Sequence, residues 1–284
     1  MSIDTSWTAL VDDPREVRDL LSVQSSDPDV TVFVPVHNEE DNIVTCLRTI
    51  GLAMQDTHQK VEVLCVNSAC TDASPQLIED CGVRMVESAK GVGPAWEAGI
   101  ECAEGKHLLT TDADTRVPHK WIDVHMRHYE ENGVSCVSAG YKYDKTHPIH
   151  AAYFGLKEQA RKIILSSRLL SDRVLSGVTV AGFAGANMSW NNDLLGEEMS
   201  PNSLPDKHVD VVVGLMLESM GRVARDASPE NMVLTSGRRY RTLSQATRAV
   251  SHNMMWILWQ RILRKEKMLY GKTLKDIRGV NMED

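Results

Sequence analysis

The chain has 284 residues, 42% hydrophobic and 25% charged, enough for one large domain or two fused halves with a full core. Its formal net charge of -8 excludes the basic footprint of a general nucleic-acid binder and leaves open a nucleotide held through a metal. No apolar run reaches the length of a membrane span, and six cysteines without paired spacing, with no secretory signal at the start, point to free thiols in a reducing cytoplasm.

Residues 1–29 are polar. Asp13-Pro14 followed by Val17, Leu20 and Leu21 predicts one short amphipathic helix, read as an appendage. Val30 to Val36 is a β-branched run of the kind found in a strand covered on both faces. His37-Asn38-Glu39-Glu40-Asp41-Asn42 then leads into a helix with Ile43, Leu47, Ile50 and Met54 on one face, its early acids suiting the helix dipole. A second strand, Val61 to Val66, runs into Asn67-Ser68-Ala69-Cys70-Thr71-Asp72. A helix follows with Ser74 as N-cap, Pro75 at its first position and Gly82 closing it. Val83 to Val86 is a third strand. Lys90-Gly91-Val92-Gly93-Pro94 opens another helix; its glycines would let backbone approach a phosphate, but a plain turn has the same composition and is preferred on this stretch alone.

Leu108 to Thr111 reads as a buried strand ending in Asp112-Ala113-Asp114. Alternate strand residues share a face, so the two carboxylates are expected to converge on one cation where the strand runs out. Magnesium and manganese favour such oxygen ligands and bridge them to nucleotide phosphates; a solvated strand-end turn is the plainer alternative. A helix from Pro118 to Asn132, a stop at Gly133 and a strand from Val134 to Ala139 continue the alternation, which predicts an α/β fold around a mostly parallel sheet. Ligands of such sheets sit beyond the carboxyl ends of the strands, where His37-Asn38-Glu39, Asn67-Ser68 and Asp112-Ala113-Asp114 all fall.

Beyond His147 the pattern changes. Leu156, Ile163, Ile164 and Leu170 mark a long helix whose basic face reads as solvated. The small, glycine-rich run Ala181 to Trp190 suits close backbone approach, by a ligand or by packing. Pro205-Asp206-Lys207-His208-Val209-Asp210 precedes a helix carrying Val213, Leu217 and Met220 and ended by Gly221. Asp210 is therefore a first-turn acid, with or without a further task. After a strand from Asn231 to Leu234, Arg238 and Arg239 either reach phosphate oxygens or cap a surface. Trp256 and Trp259 beside Arg261, Arg264, Lys265 and Lys267 describe a helix that lies on an anionic membrane or packs on the domain.

In this order and spacing the segments resemble a family 2 glycosyltransferase of the GT-A fold, from Val30 to about Arg239. The family's Pro-x-(Tyr/His)-Asn-Glu-Glu opening is similar to Pro35-Val36-His37-Asn38-Glu39-Glu40. Its Asp-Asp-Gly-Ser-Thr-Asp motif resembles Asn67 to Asp72, its glycine loop Lys90 to Gly99, its Asp-x-Asp Asp112 to Asp114, and its Gly-x-Asn Gly185 to Asn187. The resemblance implies a single Rossmann-like α/β domain with an extension (1–29), a nucleotide-sugar-binding half (30–145), an acceptor half (146–240) and a C-terminal helical segment (241–284). It implies an inverting transfer of sugar from a UDP- or GDP-sugar to an acceptor hydroxyl, with Mn2+ or Mg2+ held by Asp114 and Asp112. Pro35, His37, Glu39 and Asn67 would hold base and ribose, with Lys90, Ala113, Arg238 and Arg239 completing the donor site. Counting back from Gly221 gives Asp210 as the base, with Asp206 as runner-up. Asn67-Ser68 stand where the family carries carboxylates, Val209 stands where it carries Glu, and His208 and His252 are the available third metal ligands. The acceptor is a saccharide or, if the tryptophan helix rests on the inner face of the membrane, a lipid-linked group; nucleic acid is not expected. An idle nucleotide-sugar-binding module is the reading from another class. A nucleotidyltransferase is disfavoured because no glycine- and arginine-rich loop follows the first strand.

Overall fold

The computed structural model describes residues 13–131, 133–144, 183–195, 204–206 and 208–248, with single positions 148, 149, 151, 152, 155 and 251. The long helix expected near Leu156 to Leu170, the tryptophan helix and His252 lie outside the described residues. Two compact units make up the chain: Met1–Lys142 with Phe183–Thr235, and Tyr143–Gly182 with Ser236–Asp284. The chain leaves the first unit after Lys142 and returns to it at Phe183.

In chain order the first unit contains α1 (Pro14–Leu21), β1 (Val30–Val36), α2 (Ile43–Gln55), β2 (Val61–Ser68), α3 (Ser74–Asp80), β3 (Arg84–Ser88), α4 (Val92–Cys102), β4 (His107–Thr110), β5 (Thr115–Arg116), α5 (Trp121–Arg127) and β6 (Val134–Ala139). The short β7 (Tyr141–Tyr143) leads out of it, and β8 (Met188–Asn191), α6 (Val209–Met220), β9 (Arg222–Asp226) and β10 (Val233–Thr235) complete it. Seven strands form one sheet in the order β3-β2-β1-β4-β8-β6-β9, and β5, β10 and β7 form a small second sheet. The large sheet is parallel except for β8, which runs antiparallel to both β4 and β6.

The β-branched runs behave as read. Every residue of β2 is buried, and Val30, Val32, Phe33 and Val34 are fully so, because helices cover both faces. Phe33 packs edge-on to Trp96, which stacks on Trp190 at 5.8 Å between ring centroids. On the other face Val32 and Val34 join Ile43, Leu47 and Ile50 of α2 in the main core.

Helix α1 corrects the expectation of an appendage. Val17 and Leu21 belong to that same core, and Gly51 of α2 lets α1 approach so closely that an added Cβ would meet Leu20 Cβ at 2.9 Å. Each buried aliphatic contributes about 1.5–3 kcal/mol, which holds the helix on the fold. Ser74 also departs from its expected role. It is the first residue of α3, and its hydroxyl accepts a hydrogen bond from Glu39 N while Asp72 Oδ1 receives Ser74 N.

Candidate active site

The strand order reverses at β1. The chain runs outward through β2 and β3 on one side and returns to β4 on the other, so the crevice of this sheet opens between the ends of β1 and β4. Asp112 to Asp114 lie at the β4 side of that crevice. They do not alternate along a strand as expected: β4 ends at Thr110, and Thr115 N donates to Asp112 O (3.0 Å), closing a tight turn into β5. Ala113, only 3% exposed, is part of the core and pins the middle of the turn, leaving the flanking aspartates half-exposed. Thr235 Oγ1 donates to Asp114 Oδ1 (3.3 Å), and Asp112 and Asp114 both act on the buried thiol of Cys46 beneath the turn, whose pKa burial chiefly raises.

The β1 and β2 loops are laced together. His37 Nδ1 donates to Ser68 O (2.6 Å), Thr71 N to Asn38 Oδ1 (2.8 Å), Glu40 N to Asp72 Oδ2 (3.0 Å) and Ala73 N to Glu40 Oε2 (2.9 Å). Asn38 and Ala69 take left-handed backbone at φ 54° and 52° to make these reciprocal contacts. Pro35 is half-buried in β1, and His37 is exposed. Glu39 is buried and receives Asn42 Nδ2 (2.9 Å), so it supports the loop. Asn67 Oδ1 accepts from Cys70 N (2.9 Å), and its amide donates across both oxygens of Glu87 on β3 (3.0 Å each).

Lys90 is exposed in the loop that enters α4. This loop is glycine-rich for packing. Asp206 Oδ1 accepts from Gly93 N (3.2 Å), a Cβ on Gly91 would meet that oxygen at 2.3 Å, and a Cβ on Gly93 would meet Leu204 O at 2.4 Å. Leu204 N donates to Glu97 Oε1 (2.7 Å), so α4 grips the segment that leads to α6.

Asp210 lies in the first turn of α6, after His208 in the left-handed conformation. Its Oδ2 accepts from Gly185 N (3.2 Å) and its Oδ1 from Val211 N (3.0 Å), yet burial outweighs these bonds and raises the carboxyl pKa above its ordinary value. Gly185 must be small because a Cβ would meet Trp96 Cζ2 at 2.9 Å and Asp210 Cβ at 3.6 Å. Thr111 Oγ1 donates to Ala186 O (3.0 Å). The carboxylate turn after β4 is thereby joined through Thr111, Ala186 and Gly185 to Asp210.

Asn187, the last residue of the Gly-x-Asn segment, is fully buried and structural. Its Oδ1 accepts from Trp121 Nε1 (2.8 Å) and His125 Nε2 (2.9 Å), while its amide donates to the carbonyls of Gly140 (2.7 Å) and Asn231 (2.6 Å). With Nε2 donating, neutral His125 accepts at Nδ1 from Ser189 Oγ (2.8 Å), which in turn accepts from Tyr129 Oη (2.9 Å). Burial lowers the His125 pKa to about 4. Sequence reasoning missed this hub because its members are 60 or more residues from their partners along the chain for His125 and Tyr129.

Arg238 and Arg239 begin a short 3-10 turn, Arg238–Tyr240, in the second unit. Within that unit Asp144 Oδ1 accepts from Gly237 N (2.7 Å), Arg241 approaches Asp144 at 3.8 Å, and Tyr143 meets Tyr240 edge-on.

As for a metal, no group of three or more His, Cys, Asp or Glu side chains gathers to hold one among the described residues, and no described helix is long and apolar enough to cross a membrane. Two half-exposed carboxylates could supply part of the six-oxygen shell of a hard divalent ion. That donor set fits an ion whose remaining ligands arrive with a phosphate-bearing molecule.

The chain is 33% identical over 103 residues to the undecaprenyl-phosphate 4-deoxy-4-formamido-L-arabinose transferase of Aeromonas hydrophila, a segment covering 33% of this chain and 31% of that one. It is 37% identical over 95 residues to a succinoglycan biosynthesis protein of Rhizobium meliloti, covering 32% and 26%. The matching segments thus span less than a third of these curated relatives. Among solved structures, the mannosyltransferase of Pyrobaculum calidifontis in complex with GDP-Man and Mn2+ superposes with a TM-score of 0.59 at 19% identity, over 93% of this chain and 73% of that one. The glucosyl-3-phosphoglycerate synthase of Mycobacterium tuberculosis, solved with Mn2+, UDP-glucose and phosphoglyceric acid, superposes at 0.55 with 18% identity, over 87% and 82%. The likeness is one of fold: the seven-stranded sheet and its flanking helices have the GT-A architecture of these glycosyltransferases. The Glycosyl transferase family 2 signature matches residues 31–195, more than half of the sequence and including the carboxylate turn and the Gly-x-Asn segment, so the chain belongs to glycosyl transferase family 2.

Proposed function

We propose that this chain is an inverting, metal-dependent glycosyltransferase that moves a sugar from a nucleotide-sugar donor to an acceptor hydroxyl. The observation that carries the reading is the joining of Asp112 and Asp114, at the switch point of the sheet, to Asp210 through Thr111, Ala186 and Gly185. Relatives of similar fold bind GDP-Man or UDP-glucose with Mn2+, which supports a nucleotide sugar with manganese or magnesium here. When bound, such an ion offsets the charge that grows on the departing diphosphate.

The chain's own residues have three tasks. Asp112 and Asp114, set by the buried Ala113 between them and Thr235 beside them, would hold the ion at the diphosphate end of the donor. The laced loops around Pro35, His37, Glu39 and Asn67 receive the nucleoside. Asp210 takes the acceptor proton as the hydroxyl attacks the anomeric carbon from the face opposite the diphosphate, which inverts that centre. The raised pKa suits this role, since a carboxylate held in a desolvated site is a stronger base than one in water. Asp206, whose carboxylate meets Gly93 N in the loop that enters α4, is the runner-up.

Replacing Asp114 by Ala tests the reading. The variant is expected to fold, with an unchanged far-UV spectrum, and to lose manganese-dependent release of nucleoside diphosphate from nucleotide sugars. Wild-type turnover by that variant defeats the proposed metal site. A panel of nucleotide sugars with manganese identifies the donor by the largest rise in melting temperature. If the wild type hydrolyses none of them, even slowly, the idle binding module becomes the better account.

The similarity to undecaprenyl-phosphate transferases favours a second reading of the acceptor as a lipid-linked phosphate or saccharide. Sedimentation with anionic liposomes, with and without residues 250–284, tests it. Equal partitioning of the two forms disfavours the lipid version.

A further inference from the structure

We infer that the Asn67–Glu87 pair reads the nucleobase and selects guanine, an inference that rests on the nucleotide-sugar reading above. Asn67 and Glu87 are register partners on β2 and β3, so their side chains share a face at the carboxyl ends of neighbouring strands. Three strand spacings separate β4 from β3 in the order β3-β2-β1-β4, about 14 Å along the rim. A nucleotide whose diphosphate is held at Asp112 and Asp114 and which extends along this rim brings its base towards the ends of β2 and β3.

The polar chemistry there is specific. Asn67 is buried and cannot turn: Cys70 N fixes its carbonyl oxygen, so its amide must face the Glu87 carboxylate. The amide lies 3.0 Å from both carboxylate oxygens, which orients the plane of the carboxylate and leaves each oxygen with capacity to accept a further bond. Glu87 itself is exposed. An oriented carboxylate with two open acceptor sites matches two adjacent N–H donors in a fork. Guanine offers that pair, N1–H beside its exocyclic amine. Uracil offers one N–H between two carbonyl oxygens, which a carboxylate repels. Adenine places an acceptor beside its amine. A carboxylate at position 67 would stand against Glu87 as a like charge, so the amide is the residue that lets Glu87 do the reading.

The test is equilibrium titration of GDP and UDP, each with manganese, against wild type, Glu87→Gln and Glu87→Ala, followed by tryptophan fluorescence. The wild type is expected to bind GDP at least about tenfold more tightly than UDP, the range of discrimination a bidentate base contact supplies. Glu87→Gln replaces one acceptor by a donor and should bring the two affinities within about threefold, chiefly by weakening GDP; Glu87→Ala should do the same. A wild-type preference for UDP, or a preference for GDP that both variants retain, overturns the base assignment while the glycosyltransferase reading stands. If neither nucleotide binds, the base assignment and the nucleotide-sugar reading both fall.

Discussion

Asp210 and His125 are carboxyl and imidazole groups moved by the same force, burial, towards opposite ends of usefulness. Burial lifts the Asp210 carboxyl above its ordinary value, so loss of activity on acidification should begin at a higher pH than for a solvated aspartate. Asp210→Asn should leave donor-induced stabilisation intact and lower the transfer rate by about 10²–10⁴, the usual contribution of a positioned base. An unaltered rate would move that role to Asp206. For His125, burial favours the neutral ring and the pKa falls to about 4. The unfolded chain, with its histidine near 6.5, therefore takes up protons first as pH falls, and stability drops between those two values. The shift corresponds to about 3 kcal/mol across the window. Urea unfolding at pH 7, 5.5 and 4.5 should show this slope, and His125→Gln should flatten it.

At the level of elements, the site depends on how β8 and its leading segment are fixed. Asn187 satisfies two buried N–H donors and two carbonyls at once, so Asn187→Ala orphans four groups and should cost about 3 kcal/mol or more, read as a lower denaturation midpoint at constant slope. Gly185→Ala pushes a methyl into Trp96 and should cost about 1–3 kcal/mol of stability while disturbing the Asp210 contact, so activity falls further than stability alone accounts for. Sequence periodicity revealed β1, β2, β4 and β6, because each is a short apolar run between polar turns. It did not reveal β8 or β9. Met188 to Asn191 alternates apolar and polar residues over only four positions, directly after a glycine-rich run, and its strand character comes from two flanking partners. Arg222 to Asp226 follows the helix-ending Gly221 directly and carries two arginines and an aspartate, so it reads as a loop until β6 pairs with it. The aspartates after β4 were legible as a pair, but the turn that presents them needed the Thr115 contact to be seen. The bond from Gly93 to Asp206, 113 residues away, has no local signal at all.

The proposed ligand site lies on one rim of one sheet in the first unit, so occupancy should stabilise the whole unit. Nucleotide at a hundred times its dissociation constant adds about 2.7 kcal/mol, a rise of roughly 5–10 °C in melting temperature for a unit of this size. Calorimetry should show the full rise only when nucleotide and manganese are present together. If manganese adds nothing to the shift, the carboxylate turn does not hold an ion. The antiparallel course of β8 has a further consequence, for biogenesis. Leu108 and Leu109 of β4 pair with a strand about 80 residues later, so during synthesis the growing sheet ends at an uncovered apolar edge. A ribosome-released fragment stopping before Met188 should precipitate or recruit chaperones, whereas one extended past Asn191 should stay dispersed; the final stitch of the sheet is also what renders the nascent protein safe.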